Sequence, residues 1–435
     1  MNDARNLHRL GARAAAKAIA AGELRSEALA EALLERIAQR EPAVRAWVHI
    51  DRDDVLRQAR EADASTSQGL LRGVPVAWKD VIDCAGLPTS CGSPIHRDAV
   101  ARTDAGAVAM SRRAGALVFG KTVTAEFAAS QPGPTRHPLN AAHTPGGSSS
   151  GSAAAVADGM VPLAVGTQTG GSVIRPASYC GIVGFKPSFG LVNRHGVKQL
   201  ADSFDTVGTF ARSVDDTALL VAALTGRGDF AQLTAARPAR IAPWQGPEWG
   251  EAEAPMRAAV DAALSQLSAA GATIATITAP APVAGMAEAH KRIEYFELAR
   301  ALQHEYRTAR EQLSPALVSR IEAGLALAPA DYEAALALRD ETRRQAAALF
   351  AGVDLLLAPA ATGEAPEGLK STGKASFNRL WTALGFPAIT LPHSLGPGGL
   401  PLGLQFVAAP RRDAALLAHA AWIEGVLPRL PRTSP

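Results

Sequence analysis

The sequence predicts an α/β fold, with a large, mixed, twisted β-sheet that carries helices on both faces. Short apolar segments alternate with helical segments along most of the chain, and this alternation indicates strands connected by helices. The 435 residues are 47% hydrophobic and 20% charged, which excludes wholesale disorder and allows a large core. We expect a single domain over residues 1–435, although the length alone would allow about three.

The N-terminal part of the chain is predicted to be helical and then to enter the sheet. Residues 11–40 favour two helices separated by Gly22, and Ser26 is the expected N-cap of the second. The next apolar segments predict strands and one intervening helix, at residues 73–78 (strand), 105–114 (helix), 116–119 (strand) and 161–165 (strand).

The C-terminal half changes from helices to strands. Residues 255–350 are charged and helical, with the clearest helices predicted at 256–270 and 331–350. Strands are predicted at 272–277, 354–357, 388–391 and 402–407, and a closing helix at 413–425. Residues 131–208 are dense in Gly, Ser, Thr and Pro, but the apolar segments within them are not typical of a linker.

Charge and cysteine content exclude several classes of protein. The 44 basic and 41 acidic residues give a net charge of +3, and no long basic run indicates nucleic-acid binding. The cysteines Cys84, Cys91 and Cys180 are too few for a disulfide framework and lack zinc-site spacing, which fits a reducing cytoplasm. The N-terminus is not a secretory signal, and no apolar stretch predicts a transmembrane helix. We therefore expect a cytoplasmic protein without metal, cofactor, membrane or nucleic-acid partners.

Three segments carry the residues of chemical interest. The first places Lys79 at the end of an apolar strand, in the sequence Val-Ala-Trp-Lys-Asp. The second, residues 144–152, reads Thr-Pro-Gly-Gly-Ser-Ser-Ser-Gly-Ser and is followed by an alanine-rich helix. The third, residues 166–176, reads Gly-Thr-Gln-Thr-Gly-Gly-Ser-Val-Ile-Arg-Pro.

These segments resemble the amidase signature family, together with the sequence Cys-Gly-Ile-Val-Gly-Phe-Lys-Pro that begins at Cys180. Ser148 and Ser172 are 24 residues apart, which is the interval in that family. Several matching segments in the right order are far more specific than a single glycine-rich loop. The resemblance covers essentially the whole chain. It implies the amidase signature fold, with a core at about 70–215 and a variable helical region at about 255–350 that lines the substrate pocket.

The resemblance implies a Ser–Ser–Lys catalytic triad. Ser172 matches the nucleophile that forms an acyl-enzyme, Ser148 the bridging serine on a cis peptide bond, and Lys79 the general base. A serine hydroxyl needs a base to accept its proton, and a lysine can accept it only when neutral. The pKa of Lys79 would have to fall from about 10.4 to about 7–8, and burial behind the apolar strand could cause this shift.

The resemblance also implies an oxyanion hole and substrate contacts. Backbone N–H groups of Thr169, Gly170, Gly171 and Ser172 would face the oxyanion, since glycine permits a close approach of the substrate carbonyl. We assign Ser149 and Arg175 to the same oxyanion and substrate-binding set. Arg175 could clamp a substrate carboxylate or be a buried structural residue. Asp205 is expected to be structural, and we assign no role to His143 or His195.

Each feature has an ordinary alternative when taken alone. Lys79 could be a surface lysine or pair with Asp80, the Gly/Ser segment could be a linker, and Ser172 could be a turn serine. Residues 147–151 also fit the G-x-S-x-G nucleophile elbow, with Ser149 as nucleophile and His393 or His419 downstream. That motif requires a preceding strand, which the sequence His-Thr-Pro-Gly does not predict. A P-loop would require a Gly-Lys-[Ser/Thr] sequence that is missing.

Two departures from the common family sequence bear on specificity. Gln168 stands where many members have Asp, and Arg175 lies three residues after the nucleophile where many have the arginine two after. This variant looks like the malonamidase-type branch of small bacterial amidases and argues against the amidase subunit of a tRNA-dependent amidotransferase. We expect hydrolysis of a small-molecule amide, with aryl amides, esters or carbamates (urethanes) as further substrates and a homodimer as one candidate assembly.

The sequence alone does not decide which residues line the pocket or which of several functions the chain has. Residues 125–143, 285–345 and 361–382 are the expected variable walls, and four aromatic residues could line the pocket or belong to the core: Phe127, Tyr295, Phe377 and Trp381. The main alternative function is the amidase subunit of a multi-chain, glutamine-dependent amidotransferase. A catalytically silent binding protein is the other, and the intact triad argues against it.

Overall fold

The computed structural model describes residues 4–66, 69–129, 131–428 and 430, so the first three residues of the N-terminal segment lie outside it. The described residues form eleven strands: β1 Trp47–His49, β2 Pro75–Lys79, β3 Leu117–Thr122, β4 Leu163–Gln168, β5 Val183–Lys186, β6 Thr206–Ala211, β7 Arg240–Pro243, β8 Thr273–Ile274, β9 Leu355–Pro359, β10 Ala388–Leu395 and β11 Pro401–Val407. They belong to one sheet in the order β1-β3-β2-β4-β6-β5-β10-β11-β9-β7-β8. The sheet is mixed, because β2 is parallel to β3 and β4, whereas β4 is antiparallel to β6.

Fourteen α-helices connect or cover these strands in the described part of the chain. They are α1 Ala12–Ala20, α2 Ser26–Val44, α3 Arg52–Ala64, α4 Gly106–Arg113, α5 Ser150–Asp158, α6 Ile174–Cys180, α7 Val214–Thr225, α8 Ala254–Ala269, α9 Met286–Ala301, α10 Gln303–Thr308, α11 Pro315–Leu325, α12 Pro329–Ala348, α13 Ser376–Ala383 and α14 Asp413–Val426. None of the helices described is long and apolar enough to cross a membrane.

The helices cover both faces of the sheet. Successive residues of a strand point to opposite faces, and the two faces of β9 contribute to different apolar clusters. Leu355 and Leu357 belong to a cluster with residues of α8 and α14, whereas Leu356 and Ala358 belong to the larger cluster that includes residues of α1 and α2. The predicted α/β sheet with helices on both faces is confirmed.

The middle of the sheet places the chemically interesting segments at one edge. All five residues of β2 are buried, as expected for a strand covered on both faces. Its last residue is Lys79, and the neighbouring parallel strand β4 ends at Gln168. Since parallel strands end at the same edge, Lys79 and the segment after Gln168 lie together, where open α/β sheets commonly bind ligands.

Helix α5 begins in the Gly/Ser segment and is packed very closely against its surroundings. All of its residues except Ala157 are buried. A Cβ atom at Gly151 would lie 2.2 Å from the carbonyl oxygen of Ala46 and 2.4 Å from the backbone nitrogen of Val123. The small residues of this segment therefore allow a helix to lie against the backbone of its neighbours, which a flexible linker would not do.

Most of the predicted elements are present, with three corrections. Ser26 is the first residue of α2 and not its N-cap: its hydroxyl donates to the carbonyl of Gly73 at 2.7 Å, and the carboxylate of Asp63 accepts from the N–H groups of Ser26 and Glu27. Of the strand predicted at 272–277, only the two residues of β8 are a strand in the structure. Four strands were not predicted, namely β1, β5, β6 and β7.

Candidate active site

Lys79 is completely buried at the end of β2 and makes only polar contacts with neutral groups. Its Nζ lies 2.7 Å from Ser148 Oγ, 2.8 Å from Thr167 Oγ1 and 3.4 Å from the carbonyl oxygen of Thr167. The neighbouring Asp80 pairs with the buried Lys121 at 3.2 Å. Lys79 has no ion pair with any carboxylate of the described residues, so the alternative of a salt bridge with Asp80 is wrong.

The surroundings of Lys79 favour its neutral form. The pKa of Lys79 is lowered to about 7, mainly by burial; the negative charge of Asp205 opposes this shift and the positive charge of Arg175 adds to it. A neutral amine keeps a lone pair that can accept a proton from the Ser148 hydroxyl. A substantial fraction of Lys79 is therefore able to act as a base near neutral pH.

Ser148 lies two residues before the start of α5, and its peptide bond with Gly147 is cis. The Arg175 guanidinium donates from Nη2 to the carbonyl oxygen of Gly147 at 2.6 Å and to Thr372 Oγ1 at 3.0 Å. Arg175 is thus buried against the backbone that carries Ser148, and its Nε has no partner among the described residues. These contacts match the structural alternative for Arg175 and leave its predicted substrate-binding role as an expectation.

Ser172 lies in the loop between β4 and α6, and 8% of its surface is exposed. Its hydroxyl makes no hydrogen bond of 3.5 Å or shorter with a described residue, and this includes Ser148 Oγ. The relay implied by the family resemblance therefore has one contact in place, between Lys79 and Ser148. The second contact, between Ser148 and Ser172, stays a prediction.

The backbone of the loop before Ser172 carries free donors. Within the described residues, the N–H groups of Thr169, Gly170, Gly171 and Ser172 have no acceptor. Gln168 Oε1, in contrast, accepts from the N–H groups of Val173 (2.8 Å) and of the first residue of α6 (3.0 Å). Four unpaired amides beside a serine form the kind of donor set that binds an oxyanion.

Ser149 is the exception in the predicted oxyanion set. Its hydroxyl donates to the carbonyl oxygen of Thr167 at 3.2 Å and accepts from the Thr167 N–H at 3.3 Å. The side chain is completely buried and its hydroxyl is used by β4, so only its backbone could contribute to binding. The same contacts argue against the nucleophile elbow, whose histidines bond elsewhere, His393 to Gln266 and His419 to the carbonyl of Ala236.

The remaining residues named from the sequence are Asp205, which bonds Thr169 in the site, and two histidines that bond elsewhere or are exposed. Asp205 accepts hydrogen bonds from Thr169 Oγ1 and from the N–H groups of Leu200 and Ala201, and burial raises its pKa to about 6. This is the structural role expected for Asp205. His143 Nδ1 donates to the carbonyl of Ala365 at 2.7 Å, and His195 is exposed.

The aromatic residues predicted for the pocket are mainly core residues. Trp381 is completely buried against Trp244, with ring centroids 4.8 Å apart, and Phe377 belongs to an apolar cluster. Phe127 is buried beside His96, whereas Tyr295 is only partly buried. Among the described residues, no group of three or more His, Cys, Asp or Glu side chains could hold a metal ion.

Sequence reasoning missed three residues that contact this site. Thr167 Oγ1 bonds Lys79, His290 bonds the carbonyl of Thr169, and Thr382 bonds the carbonyl of Gly170. Thr167 stands within the third segment and could have been noticed there. His290 and Thr382 come from distant helices, 121 and 212 residues away from their partners, and nothing in the local sequence marks them.

Comparisons with known proteins identify the family of this chain. The family model described as Amidase matches residues 28–417, a range that includes Lys79, Ser148 and Ser172. A glutamyl-tRNA(Gln) amidotransferase subunit from Azoarcus sp. (strain BH72) is 35% identical over 445 residues, covering 89% of this chain and 91% of the relative.

Two solved structures are similar over almost the whole chain. A crystallised amidase has a TM-score of 0.89 and 31% identity, covering 96% of this chain and 100% of its own. A peptide amidase in complex with the competitive inhibitor chymostatin has a TM-score of 0.83 and 30% identity, covering 95% and 97%. The large mixed sheet with its covering helices is therefore the amidase signature fold.

Proposed function

The chain belongs to the amidase family of C–N hydrolases, and on that premise we propose that it cleaves amides through an acyl-enzyme formed on Ser172. The observation that carries the proposal is the buried Lys79 amine, 2.7 Å from Ser148 Oγ and with a pKa of about 7. An amine in this state has the proton affinity and the position that a general base needs.

The reaction would proceed in two stages. Neutral Lys79 takes the Ser148 proton while Ser148 takes that of Ser172, and Ser172 Oγ attacks the amide carbonyl. The free amides of Thr169, Gly170, Gly171 and Ser172 stabilise the negative oxygen of the tetrahedral intermediate. The proton then returns through Ser148 to the leaving nitrogen, and ammonia or an amine departs. Water attacks the acyl-Ser172 ester in the second stage by the same route.

Two classes of substrate, glutamine and small-molecule amides, are candidates for the acyl donor, and each is supported by a different observation. The Azoarcus relative, named as part of a glutamyl-tRNA(Gln) amidotransferase, favours a chain that releases ammonia from glutamine for partner chains. This is the alternative function predicted from the sequence, and it has the stronger support from curated relatives, since a second such protein, from Anaeromyxobacter sp. (strain K), is 33% identical over 98% of the chain.

The second candidate is hydrolysis of a small-molecule amide by the chain without protein partners. It is supported by the similarity to a solved peptide amidase and by Gln168, whose neutral amide caps α6 where many family members have Asp. Aryl amides, esters and carbamates (urethanes) form the same type of tetrahedral intermediate and belong to this candidate.

One experiment separates the two candidates. The purified chain is incubated with glutamine and with a panel of simple amides, anilides and carbamates, and released ammonia or amine is measured; Ser172→Ala is the control. Turnover of the panel without glutaminase activity supports the free-standing hydrolase. Glutaminase activity that appears only when partner chains are added supports the amidotransferase. Separately, light scattering of the chain alone tests the predicted homodimer.

A further inference from the structure

Three consecutive carbonyl groups before Ser172 are each held by a different element. The Thr169 oxygen accepts from His290 Nε2 of α9 at 2.9 Å, and the Gly170 oxygen accepts from Thr382 Oγ1 of α13 at 2.7 Å. The Gly171 oxygen accepts from the backbone N–H of Arg175 in α6 at 3.0 Å. The loop is therefore fixed through its acceptors, while its donors are free.

The held carbonyls determine where the free donors point. In a planar trans peptide, the carbonyl of one residue and the N–H of the next point in opposite directions. In the part of the chain described, only the Gly147–Ser148 bond is cis, so the three peptides from Thr169 to Ser172 are trans. Fixing the carbonyls of Thr169, Gly170 and Gly171 thus directs the N–H groups of Gly170, Gly171 and Ser172 to the opposite side.

From this arrangement we infer that His290 is a positioning residue, which orients the oxyanion-binding amides through the carbonyl of Thr169 and does not touch the substrate. The inference deepens the proposed function and rests on it. Of the two side chains that hold the loop carbonyls, His290 comes from the helical region predicted to vary within the family. It connects that region directly to the reaction centre.

The environment of His290 keeps a donor directed at Thr169. A carbonyl can only accept, so Nε2 carries the hydrogen in this contact. The side chain is buried, and its ring stacks on Phe204 with centroids 4.5 Å apart and planes 4° from parallel. On the other side of the ring, Nδ1 lies 3.5 Å from Glu294 Oε2, and Glu294 pairs with Arg320 at 3.2 Å. The ring thus has little freedom to turn away.

Thr169 is held from a second direction as well. Its hydroxyl donates to Asp205, the residue directly after the Phe204 that stacks on His290. The segment that contains Phe204 and Asp205 therefore supports both the histidine ring and the threonine side chain. Such double support is what a preorganised oxyanion site requires, because its donors must not move when charge develops.

The test uses variants that separate the donor from the ring. His290→Phe keeps a stacking ring but has no donor, whereas His290→Gln places an amide N–H at a similar reach. His393→Phe, a buried histidine on β10 that bonds Gln266, is the matched control. Removal of a direct oxyanion donor typically lowers kcat about 10²–10³-fold, so for an indirect support we expect a loss of about 10–100-fold in His290→Phe.

The expected pattern is specific to positioning. In His290→Phe, kcat falls while KM stays within about twofold, and affinity for a boronic acid that forms a tetrahedral adduct falls by the same factor as kcat. Affinity for a ground-state amide that is not cleaved stays unchanged. His290→Gln restores most of kcat, and thermal unfolding of all variants shows whether they are folded.

The outcomes distinguish failure of the inference from failure of the proposed function. If the wild-type chain neither cleaves any amide nor acylates Ser172, the proposed function is wrong. If it does, and His290→Phe matches the wild type in kcat and boronic acid affinity, the inference alone is overturned. Should His290→Phe not fold, His290→Gln is compared with His290→Asn, whose shorter amide cannot reach Thr169. Equal activity of the two contradicts the inference.

Discussion

Lys79 and Lys121 show how neighbouring positions on parallel strands give one lysine a structural role and the other a chemical one. Both side chains are completely buried. Lys121 has a carboxylate partner, Asp80, at 3.2 Å, and this pairing offsets the cost of burying its charge. Lys79 has hydroxyl and carbonyl partners but no ion pair with a carboxylate among the residues described, so burial lowers its pKa to about 7 and the charge of Asp205 opposes this shift only in part.

The pH dependence of acylation follows from this difference. With the pKa of Lys79 at about 7, the neutral fraction rises tenfold per pH unit below that value and levels off above it. We expect kcat/KM for acylation to follow this fraction between pH 5 and pH 9. Single-turnover measurements on an activated substrate check it: Lys79→Met should lose at least about 10²-fold above pH 8 and should no longer show the rise between pH 5 and pH 7. An unchanged profile in Lys79→Met would contradict the assignment, and Lys17→Met, at an exposed lysine, is the control.

Site residues that stand in a distinctive short segment could be predicted from the sequence. Site residues contributed by distant helices could not. Lys79, Ser148 and Ser172 stand in short segments whose composition and spacing are distinctive, and the structure brings Lys79 into contact with Ser148. His290 contacts the loop only because α9 packs there, and a single buried histidine in a helix has no sequence feature that reveals its partner. A contact between Ser148 and Ser172 stays a prediction, because it depends on loop positions that no sequence pattern determines.

At the scale of elements, the long helices were predictable, whereas strands were missed both at the edges of the sheet and at its centre. Periodicity identifies α8 and α12 because they are long. The strands β1, β7 and β8 contain three, four and two residues, too few for a period to emerge. The strands β5 and β6 lie inside or overlap the end of the Gly- and Ser-rich region. The composition of this region is typical of turns, but tertiary packing places these two segments in the sheet.

Because α5 is closely packed, replacing Gly151 by alanine should lower the stability, whereas the same change at Gly425 in α14 should raise it. Gly151→Ala places a methyl group 2.2 Å from the Ala46 oxygen, and the backbone on both sides has to shift. We expect a loss of about 1–3 kcal/mol in the free energy of unfolding, together with a lower kcat, since Ser148 lies only two residues before α5. Gly425→Ala, at an exposed position of α14 with open space around it, should instead gain about 0.4–1 kcal/mol. Urea unfolding measures both, and equal effects would contradict the packing account.

At the scale of the whole molecule, the sheet buries a third lysine, away from the reaction centre. Lys186, the last residue of β5, is completely buried and donates to the carbonyl of Pro187 at 2.9 Å. Burial lowers its pKa to about 7, although the charge of Asp413 opposes the shift. Asp413 itself accepts from the N–H and hydroxyl of Ser188, so the start of α14 is joined to the end of β5.

Lys186 should make global stability depend on pH. Its pKa is lower in the folded protein than in the unfolded chain, where it is about 10.4, so the unfolded state binds more protons between the two values. Its contribution to stability is therefore least favourable below pH 7 and rises toward pH 10.

Replacing this lysine by an apolar residue tests that dependence. Lys186→Met should be more stable than the wild type at pH 6, by on the order of 1–4 kcal/mol, with the difference shrinking at pH 9. A pH-independent difference in urea unfolding would show that the buried charge does not control it. Lys17→Met again serves as the exposed control.

The most direct measurement of the central claim is the rate and position of labelling by a fluorophosphonate, followed by peptide mapping. The proton path from Ser172 through Ser148 to Lys79 predicts a single label on Ser172, with labelling slowed strongly and to a similar extent in Ser148→Ala and Lys79→Met. A label on Ser149, or wild-type labelling rates in both variants, would contradict the account.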